Sequence, residues 1–347
     1  MDFGFGGFDS GFSDFDTELE EFEVKKVKKF DRMWRCGFGG SILNSPLVHE
    51  DRIYFGCCDH NVYCIDLCTD KEIWRFPTGG IFYFSSPVLL EDTIYMGSYD
   101  FSMYAISLEG KEKWNFRTGG EIFSTPLVRD GVMYFGSKDS NVYAIDMNGK
   151  EIWRFKTGGE IACAPAFHGG RIYIGSFDGN IYCLSSEGKE LWRFRAGQEI
   201  VCCGPLRIHE GIIYFGGMDN FLYSVNAETG KELWRFPTGD YGNSSIPFVH
   251  EGMVYHGCRD GFLYALDRKT GREIWRFKCD GGITGSSPVV VNGKVYVSDE
   301  SGGVYCFTLD GKQAWKTTIE DGSWGIPAVW NGRIYYGSKD CHMYGFG

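Results

Sequence analysis

The chain has 347 residues, of which 43% are hydrophobic, 17% aromatic and 23% charged, and its net charge is −11. This apolar content is sufficient for a buried core, while the acidic balance argues against nucleic acid as a partner. No apolar run approaches the roughly eighteen residues of a membrane-spanning helix, so the sequence predicts no membrane span.

The first segment, residues 1–29, is predicted to be a disordered acidic tail. Residues 1–23 contain eight acidic side chains, no basic ones, and phenylalanines and glycines in short alternation, with no apolar period. The alternative is a docking motif in which the phenylalanines are anchors. The start of the chain does not resemble a secretory leader and the cysteines number thirteen, so we expect a cytoplasmic protein with reduced thiols.

From residue 30 onwards the sequence repeats eight times, at intervals of about forty residues. Each unit contains four short runs of strand-forming residues separated by turns rich in Gly, Asn and Asp. In the third unit, for example, residues 132–137 and 142–146 are predicted as its second and third strands. The repeat is marked by eight tryptophans: Trp34, Trp74, Trp114, Trp153, Trp192, Trp234, Trp275 and Trp315. Four-stranded antiparallel units at this period predict an all-β, eight-bladed β-propeller.

Two other residues recur in every unit and predict how a blade is built. A proline is expected on the innermost strand, since proline is tolerated only at strand edges, ends or bulges. A tyrosine of the second strand is expected to pack between blades. The prolines are Pro46, Pro87, Pro126, Pro165, Pro205, Pro247, Pro288 and Pro327, and the tyrosines are Tyr54, Tyr95, Tyr134, Tyr173, Tyr214, Tyr255, Tyr296 and Tyr335.

The two ends of the repeat region complement each other. The last unit stops at Gly347 after its third strand, whereas residues 30–34 form an extra fourth strand before the first unit. We therefore expect the N-terminal strand to pair into the last blade and close the ring, which removes exposed sheet edges. Residues 30–347 are predicted to form one propeller, and we expect a monomer.

One stretch carries a family resemblance. Residues 264–275, with the sequence YALDRKTGREIW, resemble the tryptophan-docking repeat of pyrroloquinoline-quinone (PQQ) type propellers, and residues 223–234 are similar. The resemblance covers residues 30–347 and implies the eight-bladed fold. The family includes quinoprotein alcohol dehydrogenases, which hold PQQ and a calcium ion on the propeller top. It also includes non-catalytic scaffolds and sensor domains, so the fold alone does not choose a function.

An aspartate recurs in the turn between the second and third strands. The residues are Asp59, Asp100, Asp139, Asp178, Asp219, Asp260 and Asp340, with Ser301 in the seventh unit. A ring of carboxylates that binds a cation is one interpretation. We favour a structural one, in which each aspartate accepts hydrogen bonds from nearby backbone N–H groups, because a specific site is expected to break the repeat rather than follow it.

Departures from the repeat therefore give the candidate binding residues. Adjacent cysteines occur in units one and five; quinoprotein dehydrogenases are similar in carrying an adjacent-cysteine disulfide over PQQ, and small core residues are the alternative. Near the predicted channel mouth, aromatic and polar residues of units two, six and eight could stack a planar ligand, grip a peptide or plug the channel. The candidates are Cys57, Cys58, Cys202, Cys203, Tyr83, Tyr241, Asn243 and Trp324.

The preferred function is a non-catalytic binding or scaffold propeller that presents its top face and channel mouth to a protein, a peptide or a small ligand. Its loops are short for a deep cofactor pocket, and neither catalytic residues nor metal ligands are assigned. The alternative is a small PQQ-dependent dehydrogenase that oxidises an alcohol or a sugar. PQQ with calcium is implied by the family resemblance alone.

Overall fold

The computed structural model describes residues 33–35, 40–201, 206–330 and 333–346. Within these ranges every regular element is a β-strand, and the 32 strands form eight four-stranded antiparallel sheets. The prediction of eight four-stranded blades is confirmed. The predicted tail, residues 1–29, and the cysteine pair of unit five, Cys202 and Cys203, lie outside the described residues.

The strands follow the chain in blade order. Blade 1 comprises β2 Leu47–His49, β3 Arg52–Gly56, β4 Asn61–Asp66 and β5 Glu72–Pro77. Blade 2 comprises β6 Val88–Leu90, β7 Thr93–Gly97, β8 Ser102–Ser107 and β9 Glu112–Arg117. Blade 3 comprises β10 Leu127–Arg129, β11 Val132–Gly136, β12 Asn141–Asp146 and β13 Glu151–Lys156. Blade 4 comprises β14 Ala166–His168, β15 Arg171–Gly175, β16 Asn180–Ser185 and β17 Glu190–Arg195.

The second half repeats the same order. Blade 5 comprises β18 Arg207–His209, β19 Ile212–Gly216, β20 Phe221–Asn226 and β21 Glu232–Pro237. Blade 6 comprises β22 Phe248–His250, β23 Met253–Gly257, β24 Phe262–Asp267 and β25 Glu273–Lys278. Blade 7 comprises β26 Val289–Val291, β27 Lys294–Ser298, β28 Gly303–Thr308 and β29 Gln313–Thr318. Blade 8 comprises β30 Ala328–Trp330, β31 Arg333–Gly337, β32 His342–Phe346 and the N-terminal strand β1 Met33–Arg35.

The innermost strand of each blade is short, at three residues. We expected the repeated proline to lie on this strand. In the seven blades whose proline the structure describes, it directly precedes the strand instead, as Pro126 precedes β10. Proline has no N–H to donate, so the hydrogen-bonded ladder begins at the next residue. The tyrosine of the second strand packs between blades as predicted: Tyr95 shares an apolar cluster with Met133 and Phe135 of blade 3.

In blades 1 to 6 the repeated tryptophan packs against a glycine of the following blade. Trp114 of blade 2 donates a hydrogen bond from Nε1 to the carbonyl of Met147 in blade 3, at 2.9 Å. Its ring lies flat against Gly149, where a Cβ atom would come within 2.9 Å of the indole and where φ is +81°. A glycine is required there on both counts. This contact explains why the turn and the tryptophan recur together.

The repeated aspartate serves the turn in which it lies. In blade 3, Asp139 Oδ1 accepts the N–H of Asn141 at 2.9 Å. Its Oδ2 accepts the Tyr143 hydroxyl at 2.5 Å and the N–H of Gly119 at 2.8 Å. Burial opposes ionisation, but these hydrogen bonds outweigh it and lower the pKa of Asp139. The structural interpretation of the aspartates is confirmed.

Blade 7 was expected to lack this carboxylate, because Ser301 occupies the repeated position. The structure shows that Asp299, two residues earlier, supplies it instead. Asp299 accepts the Tyr305 hydroxyl at 2.8 Å and the N–H of Gly281 at 3.0 Å. The buried tyrosine of this turn therefore has a carboxylate partner in every blade.

Replacing Asp139 with Asn tests this role. The Asp139→Asn change turns one acceptor oxygen into an NH₂ donor facing Tyr143 or a backbone N–H, and we expect a loss of about 1–3 kcal/mol in the free energy of unfolding. Denaturant unfolding followed by circular dichroism would measure it. The control is Asp130→Asn at an exposed turn, which we expect to stay within about 0.5 kcal/mol of the unmodified chain. Equal stability of the two variants would contradict the structural role.

The chain termini meet in blade 8 as predicted. Strand β1 pairs antiparallel with β32, with Met33 opposite Tyr344 and Arg35 opposite His342. The last blade also contacts the first: the N–H of Ile42 donates to the carbonyl of Ser338 at 3.0 Å. The apolar cluster that contains Ile42 includes side chains of both blades.

A belt of hydrogen bonds links neighbouring inner strands at the residue before the proline. The N–H of Ile326 donates to Ser45 Oγ at 2.9 Å, and the N–H of Ser45 donates to Ser86 Oγ at 3.0 Å. The N–H of Ser86 then donates to Thr125 Oγ1 at 2.9 Å. The belt therefore runs without a break through blades 8, 1, 2 and 3. Blade 4 has Ala164 at this position, which offers no hydroxyl.

Candidate functional site

The top face of the propeller is the end of each blade where two turns meet. These are the turn before the innermost strand and the turn between the second and third strands. In blade 2 they are joined directly, since the N–H of Gly79 donates to Asp100 Oδ2 at 2.9 Å. The sequence analysis placed both turns on one face, and the structure confirms this placement.

In each blade the first of these turns contains a buried anchor residue. Ile122 is an example: it packs against Gly97, the last residue of β7, where a Cβ atom would come within 2.3 Å of its side chain. The residue after the anchor lies at the channel mouth. Around the ring these mouth residues are Leu43, Tyr83, Phe123, Ala162, Val201, Ser244, Thr284 and Trp324.

The mouth is therefore asymmetric. Large apolar residues occupy it in blades 8, 1, 2 and 3, whereas blades 4 to 7 have small or polar residues there. Blade 2 adds one more ring, because Phe84 is inserted between Tyr83 and Ser85. Ser85 Oγ accepts the N–H of Gly97 at 2.8 Å, as Asn44 Oδ1 accepts the N–H of Gly56 in blade 1 at 3.2 Å. Phe84 is thus an additional residue at the mouth of blade 2.

Five aromatic rings from three blades meet on this side; we call them the mouth cluster. Its members are Tyr83, Phe84, Tyr99, Phe123 and Trp324. Tyr83 and Trp324 have ring centroids 5.8 Å apart although blade 1 lies between their blades. Phe84 stacks on Trp324 at 6.0 Å, and Tyr99 stacks on Phe123 at 4.5 Å. All five side chains are half-buried, so each retains a surface for a ligand.

Two lysines flank the mouth cluster. Lys339 places Nζ 4.6 Å from the ring centroid of Trp324, and Lys138 places Nζ 4.4 Å from that of Phe123. Lys138 is also within 3.5 Å of Glu121 and 3.7 Å of Glu160, which reduces its net attraction for an anion. The lysines lie over aromatic faces, where cation–π attraction holds an ammonium group in place. The mouth cluster therefore combines an apolar centre with a positive edge at Lys339, whereas two carboxylates offset the charge of Lys138.

Burial affects the polar groups of two rings in the mouth cluster, those of Tyr99 and Trp324. Burial raises the pKa of Tyr99, with smaller contributions from Tyr83 and Glu121, so its phenol stays neutral at physiological pH. The Nε1–H of Trp324 is buried and has no hydrogen-bond acceptor among the described residues. A buried donor without an acceptor costs about 1–3 kcal/mol. A ligand oxygen that entered beside this ring would remove that cost.

The adjacent cysteines of blade 1 do not fit a PQQ site. Cys57 is buried and donates from Sγ to the carbonyl of Gly40 at 3.2 Å, whereas Cys58 Sγ points to the carbonyl of Phe82 at 3.5 Å. The two Sγ atoms therefore face different carbonyls rather than each other. Across the described ranges, no three His, Cys, Asp or Glu side chains lie together as a metal site would require. These residues thus resemble core packing more than a cofactor cradle.

The candidates of blade 6 lie apart from the mouth cluster. Tyr241 is 77% exposed and belongs to the blade across the ring from Tyr83. Asn243 is fully buried, because it occupies the anchor position rather than the mouth. It accepts a hydrogen bond from Nε2 of His256 at 3.0 Å, and Ser245 Oγ lies 3.4 Å from Nδ1 of the same ring.

His256 was not among the sequence candidates. Burial lowers its pKa to about 4, against a weaker opposing effect of the Asp260 carboxylate, so the imidazole is neutral at pH 7. The sequence does contain a signal for it, because the position that His256 occupies is a phenylalanine in blades 1, 3 and 5. These residues are Phe55, Phe135 and Phe215. A polar pair of Asn243 and His256 has replaced an apolar pair in the core.

The sequence placed Tyr83 and Trp324 at one channel mouth together with the candidates of unit six, whereas Tyr99, Phe123 and the two lysines were missed. Phe123 was readable from its position after the anchor Ile122. Tyr99 and the lysines precede the repeated aspartate, where the residues are Cys58, Tyr99, Lys138, Phe177, Met218, Arg259, Glu300 and Lys339. The residue type at this position varies from blade to blade without a pattern. Only the structure shows that Tyr99 belongs to the mouth cluster and that Lys138 and Lys339 flank it.

Among the described residues there is no helix that could span a membrane.

The comparisons with known proteins agree on fold and family. No curated protein matches the sequence. The crystal structure of BamB from Moraxella catarrhalis is similar, with a TM-score of 0.78, 16% identity and coverage of 93% of this chain and 98% of that one. A computationally designed protein, Ika8, is similar with a TM-score of 0.78, 15% identity and coverage of 88% and 96%.

At these identities the two structures support the fold alone. The family is shown by a separate comparison of the sequence with a family model. That model is described as outer membrane protein assembly factor BamB, and it matches residues 58–162, 138–258, 203–276 and 259–347. Because these matches cover most of the chain, the protein belongs to this family of PQQ-type repeat propellers.

Proposed function

We propose that this propeller is a non-catalytic binding protein that grips a peptide or a segment of a protein partner at the mouth cluster. The observation that carries the proposal is the gathering of five half-buried rings from three blades beside two ammonium groups. The preferred ligand is a segment with an aromatic side chain next to carboxylates.

The rings of the mouth cluster and the lysine beside them would contact different parts of the ligand. An aromatic side chain of a ligand would stack against Trp324 or Tyr83 and bury much of its surface, which is how anchor residues supply most of an interface's affinity. Lys339 would attract a carboxylate at the edge and so favour acidic neighbours over basic ones. The family's description names an assembly factor, which is consistent with a role in binding other proteins.

Peptide display against the full chain would test this proposal. We expect the selected twelve-residue peptides to be enriched in aromatic residues flanked by Asp or Glu. Affinities would be measured by fluorescence anisotropy. Tyr83→Ala and Trp324→Ala should each weaken binding at least tenfold, which corresponds to about 1.4 kcal/mol. Lys339→Met, which keeps the side-chain stem, should weaken binding of acidic peptides and reduce its salt dependence.

The matched control is Tyr241→Ala, which removes an exposed aromatic residue on the opposite side of the ring. Its affinity should equal that of the unmodified chain. The proposal fails if the selected peptides bind the three mouth variants as tightly as the control, or if they show no preference for aromatic and acidic residues. Circular dichroism of each variant would confirm that its fold is retained.

A further inference from the structure

The N-terminal segment has the composition that the mouth cluster favours. Residues 1–23 contain eight carboxylates and no basic side chain. The segment contributes most of the protein's charge imbalance: the rest of the chain has 35 basic and 38 acidic side chains. Its phenylalanines alternate with glycine and acidic residues, at Phe3, Phe5, Phe8, Phe12, Phe15 and Phe22.

We infer that residues 3–15 of the same chain bind the mouth cluster and compete with external ligands. This inference rests on the proposed function, because it concerns the regulation of the same site. A tail phenylalanine would stack on Trp324 or Tyr83, and a neighbouring Asp would lie near Lys339. Phenylalanine next to aspartate is the pairing that an aromatic centre with a positive edge at Lys339 selects.

The chain is long enough for this contact. Residue Arg35 of β1 lies opposite His342, next to the top turn, so β1 runs upwards and its first residue, Met33, lies two residues lower on the outer edge of blade 8, opposite Tyr344. Three strand spacings of about 4.8 Å separate β1 from the innermost strand of the same blade, which follows Trp324, so Met33 is about 20–25 Å from the mouth. At about 3.3 Å per residue, the segment from Phe15 to Met33 spans up to about 60 Å. Phe15 and the phenylalanines before it can therefore reach the mouth cluster.

Tethering also favours the chain's own tail over a second copy. A segment joined to its site by a short linker has an effective concentration in the millimolar range. A tail with only modest intrinsic affinity therefore occupies the site within one chain at micromolar protein concentration. Binding between two chains at that concentration would require much higher affinity.

Photo-crosslinking of the full chain would locate the tail. p-Benzoylphenylalanine would replace Phe8 or Phe12 in separate proteins, and the exposed Tyr241 of blade 6 in the control. After irradiation at about 1 μM protein, mass spectrometry should find crosslinks within single chains from positions 8 and 12 to peptides containing Tyr83, Phe123 or Trp324. Position 241 should give none at these peptides. Crosslinks to another face, or crosslinked dimers in place of monomers, would overturn the inference.

A competition measurement supplies a second readout. In the five-serine chain, Phe3, Phe5, Phe8, Phe12 and Phe15 are all replaced by Ser, which keeps the tail's length and charge. A fluorescein-labelled peptide of residues 1–23 should bind this chain at least fivefold more tightly than it binds the unmodified chain. Tyr241→Ser, at the exposed position across the ring, is the control and should behave as the unmodified chain. Equal affinity for all three, or no binding to the five-serine chain, would overturn the inference.

The two proposals fail in different ways. If display-selected peptides bind the five-serine chain through Tyr83 and Trp324 while the tail neither crosslinks nor competes, the binding function stands and its regulation by the tail is wrong. If the selected peptides bind independently of the mouth cluster, the proposed function itself is wrong.

Discussion

Deleting residues 1–36 is expected to abolish the stable monomer, whereas deleting residues 1–29 should leave it folded. The longer deletion removes β1, so the last blade keeps three strands. The strand β32 then pairs only with β31, and its other edge is exposed. Each lost backbone hydrogen bond costs about 1 kcal/mol, and typical domains are stable by only about 5–15 kcal/mol. The exposed edge of β32 is also a template for pairing with another chain.

Size-exclusion chromatography with light scattering, together with thermal unfolding, would measure both deletions. We expect the chain without residues 1–36 to be unfolded or oligomeric, and the chain without residues 1–29 to remain monomeric with an unfolding temperature close to that of the full chain. A monomer of unchanged stability after the longer deletion would show that β1 does not hold the last blade to the propeller.

Acid should weaken the protein through His256. Burial lowers the folded-state pKa of this imidazole to about 4, below the ordinary histidine value of 6.5. Between these two values the unfolded chain binds a proton that the folded chain does not, so stability falls as the pH falls from about 6.5 to about 4. A depression of about two to three pKa units corresponds to a loss of about 3 kcal/mol.

The double variant Asn243→Ile with His256→Phe isolates this contribution. It restores the apolar pair found in blades 1 and 3, where Ile42 packs with Phe55 and Ile122 with Phe135. Between pH 7 and pH 4 the free energy of unfolding of the unmodified chain should drop by about 3 kcal/mol more than that of the double variant. The control, His168→Gln at an exposed strand end, should follow the unmodified chain. Parallel pH profiles for the unmodified chain and the double variant would refute the assignment.

The propeller fold was predictable because the residues that determine it lie close together within one repeat and recur in the other repeats. A docking tryptophan, a glycine turn and an aspartate that accepts from its own turn act over short sequence distances, so the spacing of residues such as Trp114 and Gly149 reveals them. Asp299 escaped notice because the carboxylate moved by two residues while its partners stayed in place. Only the hydrogen bonds to Tyr305 and Gly281 show that it performs the same role.

The candidate site was less predictable because it depends on which positions of the repeat face the central channel of the propeller. Asn243 and Trp324 both lie near the proline of their units, yet one is a buried anchor and the other a mouth residue. A shift of one position reverses the direction of a side chain. The meeting of Tyr83 with Trp324 further requires that blades 2 and 8 approach each other past blade 1, which no local pattern encodes.

The belt of hydrogen bonds before the prolines bears on the entropy of binding. It joins the inner strands of blades 8, 1, 2 and 3, the blades that carry large apolar residues at the mouth. The backbone beneath Tyr83 and Trp324 is thus fixed before any ligand arrives. Ordering a site during association reduces affinity, and a site ordered in advance avoids that loss. On the other side of the ring the belt is broken at Ala164 and resumes between blades 6 and 7, where the N–H of Ile246 donates to Ser287 Oγ at 2.8 Å. The continuous part of the belt therefore lies beneath the aromatic rings.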